Sequence, residues 1–441
     1  MRAIHHRAGQ GGSLADNAAG HGAKGHPVTP RSAPKAMGDG TVVLILAALL
    51  GVQAITTDLY LPALPALIDG FGAGMAQAQL TLSALLISFG VSQLVWGSLS
   101  DHFGRRPVLL LGLGAYTLAA VVSALAPSME MLVMWRALQG AAMGAGVTCA
   151  RAIIRDLYQP AEGARVMSKA LSGLGVIAVL SAPVGGLVSD LFNWRAALAV
   201  LAVFGAASLA LVITRFQETL ASGKPHALQP LALLRSWKQI GRHPTFIAFS
   251  ALSVASYGGL FTFLGASSFV FIEVLELGKT PYGLLMASMS LAYLSGTFLC
   301  RQLLKRVGIR RSVAIASGIT LTSGTAMGIT GMLGWSAGPH GSWFIMVPFY
   351  LFMLGHGIHQ PCGQSGAVGP FPHAAGVAAS LNGFLMMLAA FGIGAWLGWR
   401  MDGSVLPLTN GIWFWSVVIA ASGWTLVQRH GEPGHAVTAA R

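Results

Sequence analysis

A chain of 441 residues with 54% hydrophobic and 9% charged residues is not an ordinary soluble enzyme, since soluble proteins carry about 25% charged residues. It is not a disordered scaffold either, because disorder needs low hydrophobicity and high charge. The net charge of +13 fits nucleic acid or a membrane edge, and the positions of the basic residues decide between them. The three cysteines, Cys149, Cys300 and Cys362, are odd in number, form no CxxC and lie in apolar segments, so neither a disulfide framework nor a structural zinc site is expected.

Residues 1–40 are polar and lack an apolar run, unlike a secretory leader. They read as a disordered cytoplasmic tail, or, up to residue 36, as an over-long start ahead of Met37. Twelve apolar segments follow, at 41–67, 78–100, 107–126, 129–152, 164–189, 194–215, 244–272, 281–304, 311–333, 342–366, 374–399 and 405–428. Each matches the roughly 20 residues a spanning helix needs. The expected fold is all-α, a polytopic membrane protein of twelve transmembrane helices in two six-helix bundles. Residues 41–216 form the first bundle, 217–243 a cytoplasmic central loop, 244–428 the second bundle and 429–441 a cytoplasmic tail. With the N-terminus inside, 23 basic residues fall on the inner side and only Arg195, Lys279 and Arg400 on the outer. That asymmetry puts both termini inside and removes nucleic acid as a partner. The strings at 101–106 and 305–311 each place a glycine, Gly104 and Gly308, in a short basic turn between spans. With an even number of spans in each half this is a parallel repeat, and a solute site belongs between the halves near mid-membrane.

Four strings carry chemistry. In TTDLYLPALPAL (56–67), Asp58 is a carboxylate in the outer half of a span, where a charge is costly and marks a functional site by default. It can take up and release a proton, or it can simply end the span beside Pro62 and Pro65. In GSLSDHFGRRPVLLLG (97–112), Gly97 permits close helix approach, Asp101 ends a span, Gly104 makes the turn, and Arg105 and Arg106 hold it at the inner face. In MLVMWRALQGAAMGAG (131–146), Arg136 is the basic residue well inside a span and needs an acceptor. A pair with Asp58, direct or through water, and an anchor on backbone carbonyls are both open. In SAPVGGLVSD (181–190), Pro183, Gly185 and Gly186 kink the helix and admit a close neighbour. Tyr60, Phe89, Met143, Tyr257, Phe261 and Phe263 form an adaptable apolar wall for a drug-sized ligand or, singly, plain packing. His356, His359 and Cys362 recur along one helix and read as polar lining or interhelical contacts rather than a metal site. No P-loop occurs, and no metal or cofactor is expected.

The 97–112 string resembles the loop between helices two and three of the major facilitator superfamily, and DxYLPALP at 58–65 resembles the first helix of its Bcr/CflA drug:proton antiporter branch. RDLY (155–158), ETL (218–220), 261–273 and 371–381 extend the similarity over about 41–428. The resemblance implies an inner-membrane exporter, a monomer that exchanges small drug-like compounds for protons. It implies that Asp58 and Arg136 couple to protons. It implies that Gly97, Asp101, Gly104, Arg105 and Arg106 latch the halves on the cytoplasmic side, with Arg151 or Arg155 as a basic partner. Residues 181–190 match the antiporter signature in reduced form, because Ala182 stands where a glycine is usual. A metabolite exporter or importer on the same fold is the alternative. An intramembrane enzyme or receptor is disfavoured, since neither a nucleophile–base arrangement nor a sensor domain is visible.

Overall fold

The computed structural model describes residues 37–158, 160–220, 230–338 and 340–431. Most of the expected N-terminal tail, the middle of the central loop and the last ten residues lie outside the described residues. Those described are almost wholly helical, with no strand among them. In chain order the helices are α1 Asp39–Asp58, α2 Leu64–Phe71, α3 Met75–Phe103, α4 Arg105–Ala124, α5 Met129–Leu157, α6 Pro160–Leu191, α7 Trp194–Arg215, α8 Pro230–Gly241, α9 Pro244–Ser268, α10 Lys279–Met332, α11 Gly341–Val368, α12 Ala375–Arg400, α13 Leu406–Ala421 and α14 Val427–His430.

Three features depart from the expected segments. The first span, Asp39–Phe71, breaks after Asp58, where a short turn Leu61–Ala63 precedes α2. Pro62 has no N–H to give to the carbonyl four residues back, which is that of Asp58. Second, α10 is 54 residues long, about 80 Å at 1.5 Å per residue, far more than one crossing needs. It contains a non-helical residue, Gly308, at φ 75° and ψ 175°, and is therefore two spans meeting at a turn. Eleven long apolar helices thus give the twelve expected crossings. Third, the short helix α8 lies where a loop was expected, its Ile240 buried and its Leu234 exposed.

The internal repeat is visible in the backbone. Gly104 adopts φ 99° and ψ 160°, and Gly308 adopts φ 75° and ψ 175°. Both conformations suit only glycine. The surroundings differ: a Cβ on Gly104 would lie 2.6 Å from a Glu218 carboxylate oxygen, whereas one on Gly308 would meet nothing. Gly104→Ala is therefore expected to cost more than the roughly 1–3 kcal/mol of a side chain held in an essentially glycine-only conformation, and Gly308→Ala about that amount alone. Thermal unfolding of the detergent-solubilised protein should show the larger drop for Gly104→Ala.

Within the first half α3 packs on α5, α4 on α5 and α7, and α1 on α6; within the second, α10 packs on α11 and α13, and α9 on α11, α12 and α13. The halves meet where α3 packs on α12 and where α6 packs on the first part of α10. The end carrying the Gly104 and Gly308 turns is the basic end below; the other is the far end.

Candidate functional site

Asp58 is the last residue of α1, about 28 Å along the axis from Asp39, at the break in the first span. Its side chain is half-buried, and its Oδ1 accepts from the Thr57 hydroxyl at 2.9 Å. The turn Leu61–Ala63 that follows it packs on α9 and α10 of the second half, so the break lies at the interface between the halves. The remaining acidic residues of the described chain lie at helix ends or in connections.

Arg136 is fully buried, and it does not pair with Asp58. Its Nη1 donates to Gln139 Oε1 at 2.7 Å and its Nη2 to the Thr56 carbonyl at 3.2 Å. Its guanidinium lies 4.2 Å from the Tyr60 ring centroid, an electrostatically favourable place for a cation. Of the two readings left open, a direct Asp58–Arg136 ion pair is absent among the described residues, and the bond to the Thr56 carbonyl is of the anchor kind. Thr56 precedes Asp58 by two residues, so Arg136 is bonded to the backbone of the last turn of α1. Arg136 holds the backbone at the break and leaves the carboxylate free of a permanent counter-charge. Tyr60 is held in turn by a 2.7 Å bond between its hydroxyl and that of Thr81. Gln139 was not singled out in the sequence, although it stands in the RxxQG pattern, and Gly140 beside it lets α5 press against the Leu85 carbonyl.

At the basic end, Arg105 is buried with 1% of its surface exposed. Its Nη1 lies 2.6 Å from Asp101 and its Nε 2.9 Å from Asp156, and Nη1 also donates to Ser100 Oγ at 2.8 Å. Arg155 joins through Asp101 at 3.5 Å; Arg151 does not. Glu218 caps α4, accepting from the backbone N–H groups of Arg105 and Arg106 at 2.9 and 3.0 Å. Arg106 caps α7 in return, donating to the Ile213 and Phe216 carbonyls at 3.1 Å each. Tyr158 donates to Asp39 at 3.0 Å. Burial and the Asp39 carboxylate push its phenol up to about 12, so it stays a donor at physiological pH.

Every described partner in this network belongs to the first half, so here the network does not bridge the halves as expected. Gly97 is not at a tight contact, since a Cβ there would sit an ordinary 3.7 Å from Thr148 Cγ2. Asp156 and Glu218 lie within strings quoted above, but sequence could not show which cation or N–H each meets. Arg105→Met would leave two carboxylates without their buried partner. Loss of one member of a buried pair costs about 3–5 kcal/mol, so a marked fall in unfolding temperature is expected.

The far end is where the halves join. Gly185 faces the Leu59 carbonyl at the break of the first span, and Gly186 faces the Lys279 carbonyl of the second half, each too close for a Cβ. Ala182 stands where the signature has glycine, and Gly283 of α10 fills that need from the opposite side: a Cβ on it would be 2.5 Å from the Ala182 carbonyl. α6 runs through Pro183 as one helix. Asp190 accepts from the Thr280 backbone N–H at 2.8 Å and from its hydroxyl, capping the first turn of α10 across the interface. Gln79 donates to the Gly265 carbonyl. Among the described residues, these side-chain hydrogen bonds cross between the halves, and both sites lie at the far end.

Of the expected cavity wall, Tyr60, Phe89, Met143, Phe261 and Phe263 are buried, with Phe263 stacked on Phe349 at 3.6 Å. Tyr257 alone is half-open. Five of the six expected wall residues are therefore packed inside the protein, which in this structure makes them core side chains and not an open wall. His356 bonds Ser256 at 2.8 Å and Cys362 lies 3.8 Å from Cys300. No cluster of three metal-ligating side chains occurs among the described residues.

The sequence profile of the Major Facilitator Superfamily matches residues 46–395. The chain is 28% identical over 352 residues to Multidrug resistance protein D of Escherichia coli K12, covering 79% of this chain and 86% of that protein. It is 26% identical over 357 residues to the Bicyclomycin resistance protein homolog of Haemophilus influenzae, covering 81% and 87%. In fold it resembles the D-xylose–proton symporter, with a TM-score of 0.67 at 14% identity over 88% of this chain and 96% of that one.

Proposed function

The chain belongs to the Major Facilitator Superfamily, and from that premise we propose that it exports small drug-like compounds across a bacterial inner membrane in exchange for protons. It is a multi-pass membrane transporter, not an enzyme. One observation carries the proton reading: among the described acidic residues, Asp58 alone lies deep in a span, at a helix break facing the other half. Such a group can load a proton from one side and release it to the other as the halves rock.

On this reading the basic end is cytoplasmic, and the Asp190–Thr280 and Gln79–Gly265 contacts are those that keep the outer side closed. Proton and drug compete through Asp58 and the conformational equilibrium. Arg136 fixes the break so that the carboxylate keeps its place through the cycle. The Asp101–Arg105–Asp156 network, closed on itself here, is the group that meets the second half when the outer end opens. The names of relatives point to bicyclomycin and chloramphenicol as first substrates to try. Cells lacking their own exporters and expressing this chain should accumulate less of such a drug, and an uncoupler should abolish the difference. Unchanged accumulation of every drug tried, with the protein in the membrane, would favour a metabolite carrier instead.

A further inference from the structure

The central connection carries a feature that transport does not use. Residues 221–243 contain Lys224, Arg235, Lys238 and Arg242 and no acidic residue. Arg235, Lys238 and Gln239 on α8 and Arg242 in the turn directly after it stand at i, i+3, i+4 and i+7, the spacing of one helix face. Together they line an open concavity of about 350 Å³. No carboxylate lies within ion-pairing distance of the three cations among the described residues.

The position of α8 is held by the rest of the fold. Ile240 is buried, α8 packs on α12, and His243 packs edge-on to Phe371 at 5.2 Å. Arg242 precedes the apolar span of α9 by two residues, so the groove begins at the membrane edge and Lys238 and Arg235 lie one and two turns beyond it. A cluster of unpaired cations on a fixed surface at that depth meets lipid headgroups, where each Lys or Arg favours an anionic lipid.

We propose that this face of α8 is a binding site for an anionic membrane phospholipid. The headgroup phosphate is held between Arg235, Lys238 and Arg242, with the Gln239 amide as a further donor. Arginine suits phosphate through its paired donors, and lysine adds a point charge. The acyl chains pass beside the start of α9. The site does not depend on which solute is transported.

The test uses the full chain in phosphatidylcholine nanodiscs with equal added amounts of phosphatidylglycerol and phosphatidylethanolamine, followed by native mass spectrometry of retained lipid. Wild type should retain phosphatidylglycerol over phosphatidylethanolamine. The triple variant Arg235→Gln, Lys238→Gln, Arg242→Gln should retain it at least about tenfold less well. The variant Lys305→Gln, Arg306→Gln removes two exposed cations from the other basic turn and should bind as wild type does. The three positions are exposed, so the fold should survive; the wild-type preference over phosphatidylethanolamine tests the site without any variant. Equal retention by wild type and triple variant, or of both lipids by wild type, overturns the proposal. Displacement of the lipid by millimolar inorganic phosphate would also overturn it, assigning the groove to a soluble anion.

Discussion

Asp58→Asn is expected to reduce drug-induced proton release from inverted membrane vesicles to the level of vesicles without the protein. Asparagine keeps the shape of the side chain and an acceptor for the Thr57 hydroxyl, but it cannot carry a proton. The fold should therefore be retained while coupling is lost. The geometry sharpens the expectation. Arg136 is taken up by Thr56, Gln139 and Tyr60, so no permanent cation opposes protonation of Asp58. Drug binding to the solubilised variant should persist, and Asp58→Glu should recover part of the proton signal. Proton release at the wild-type level in Asp58→Asn would return this residue to a helix-ending role and move the carrier elsewhere.

The second large effect concerns the far end. With the native cysteines replaced by alanine, Asp190→Cys with Thr280→Cys joined by a short thiol cross-linker should stop transport almost completely, and reduction of a cleavable linker should restore it. The Asp190 carboxylate contacts both the backbone and the hydroxyl of Thr280. Gly186 and Gly283 bring α6 and α10 to backbone contact just beside that pair. In the proposed cycle these helices part when the site opens to the outer side, and a covalent link prevents it. Full activity in the cross-linked protein would show that the outer opening lies elsewhere. Asp190→Ala alone removes a cap across an exposed interface, of the kind worth about 1 kcal/mol. It should shift the balance towards the outward-open form, seen as easier labelling of a cysteine at position 280.

The exchange of roles between Ala182 and Gly283 explains why the antiporter string looked reduced. What the interface requires is one missing side chain at the crossing, and either helix can supply it. Reading one string cannot reveal that the compensation sits about a hundred residues away.

Sequence alone determined the number of crossings, the basic asymmetry, the repeated glycine turn and the depth of Asp58 and Arg136. These depend on local quantities: runs of apolar residues, the count of charges at their ends, and distance along one helix. The break after Asp58 stood in the sequence only as an alternative, that Asp58 ends its span beside Pro62 and Pro65, although Pro62 removes a donor whatever surrounds it. Only the tertiary structure decided who meets whom. Arg136 bonds Gln139 and the Thr56 carbonyl while Asp58 bonds Thr57, Arg105 has Asp156 as well as Asp101, Glu218 crosses from the end of the first half to cap α4, and Asp190 reaches into the second half. A buried charge is satisfied by whichever polar group its neighbouring helices bring within about 3 Å, and which helices are neighbours is set by the packing of the whole bundle.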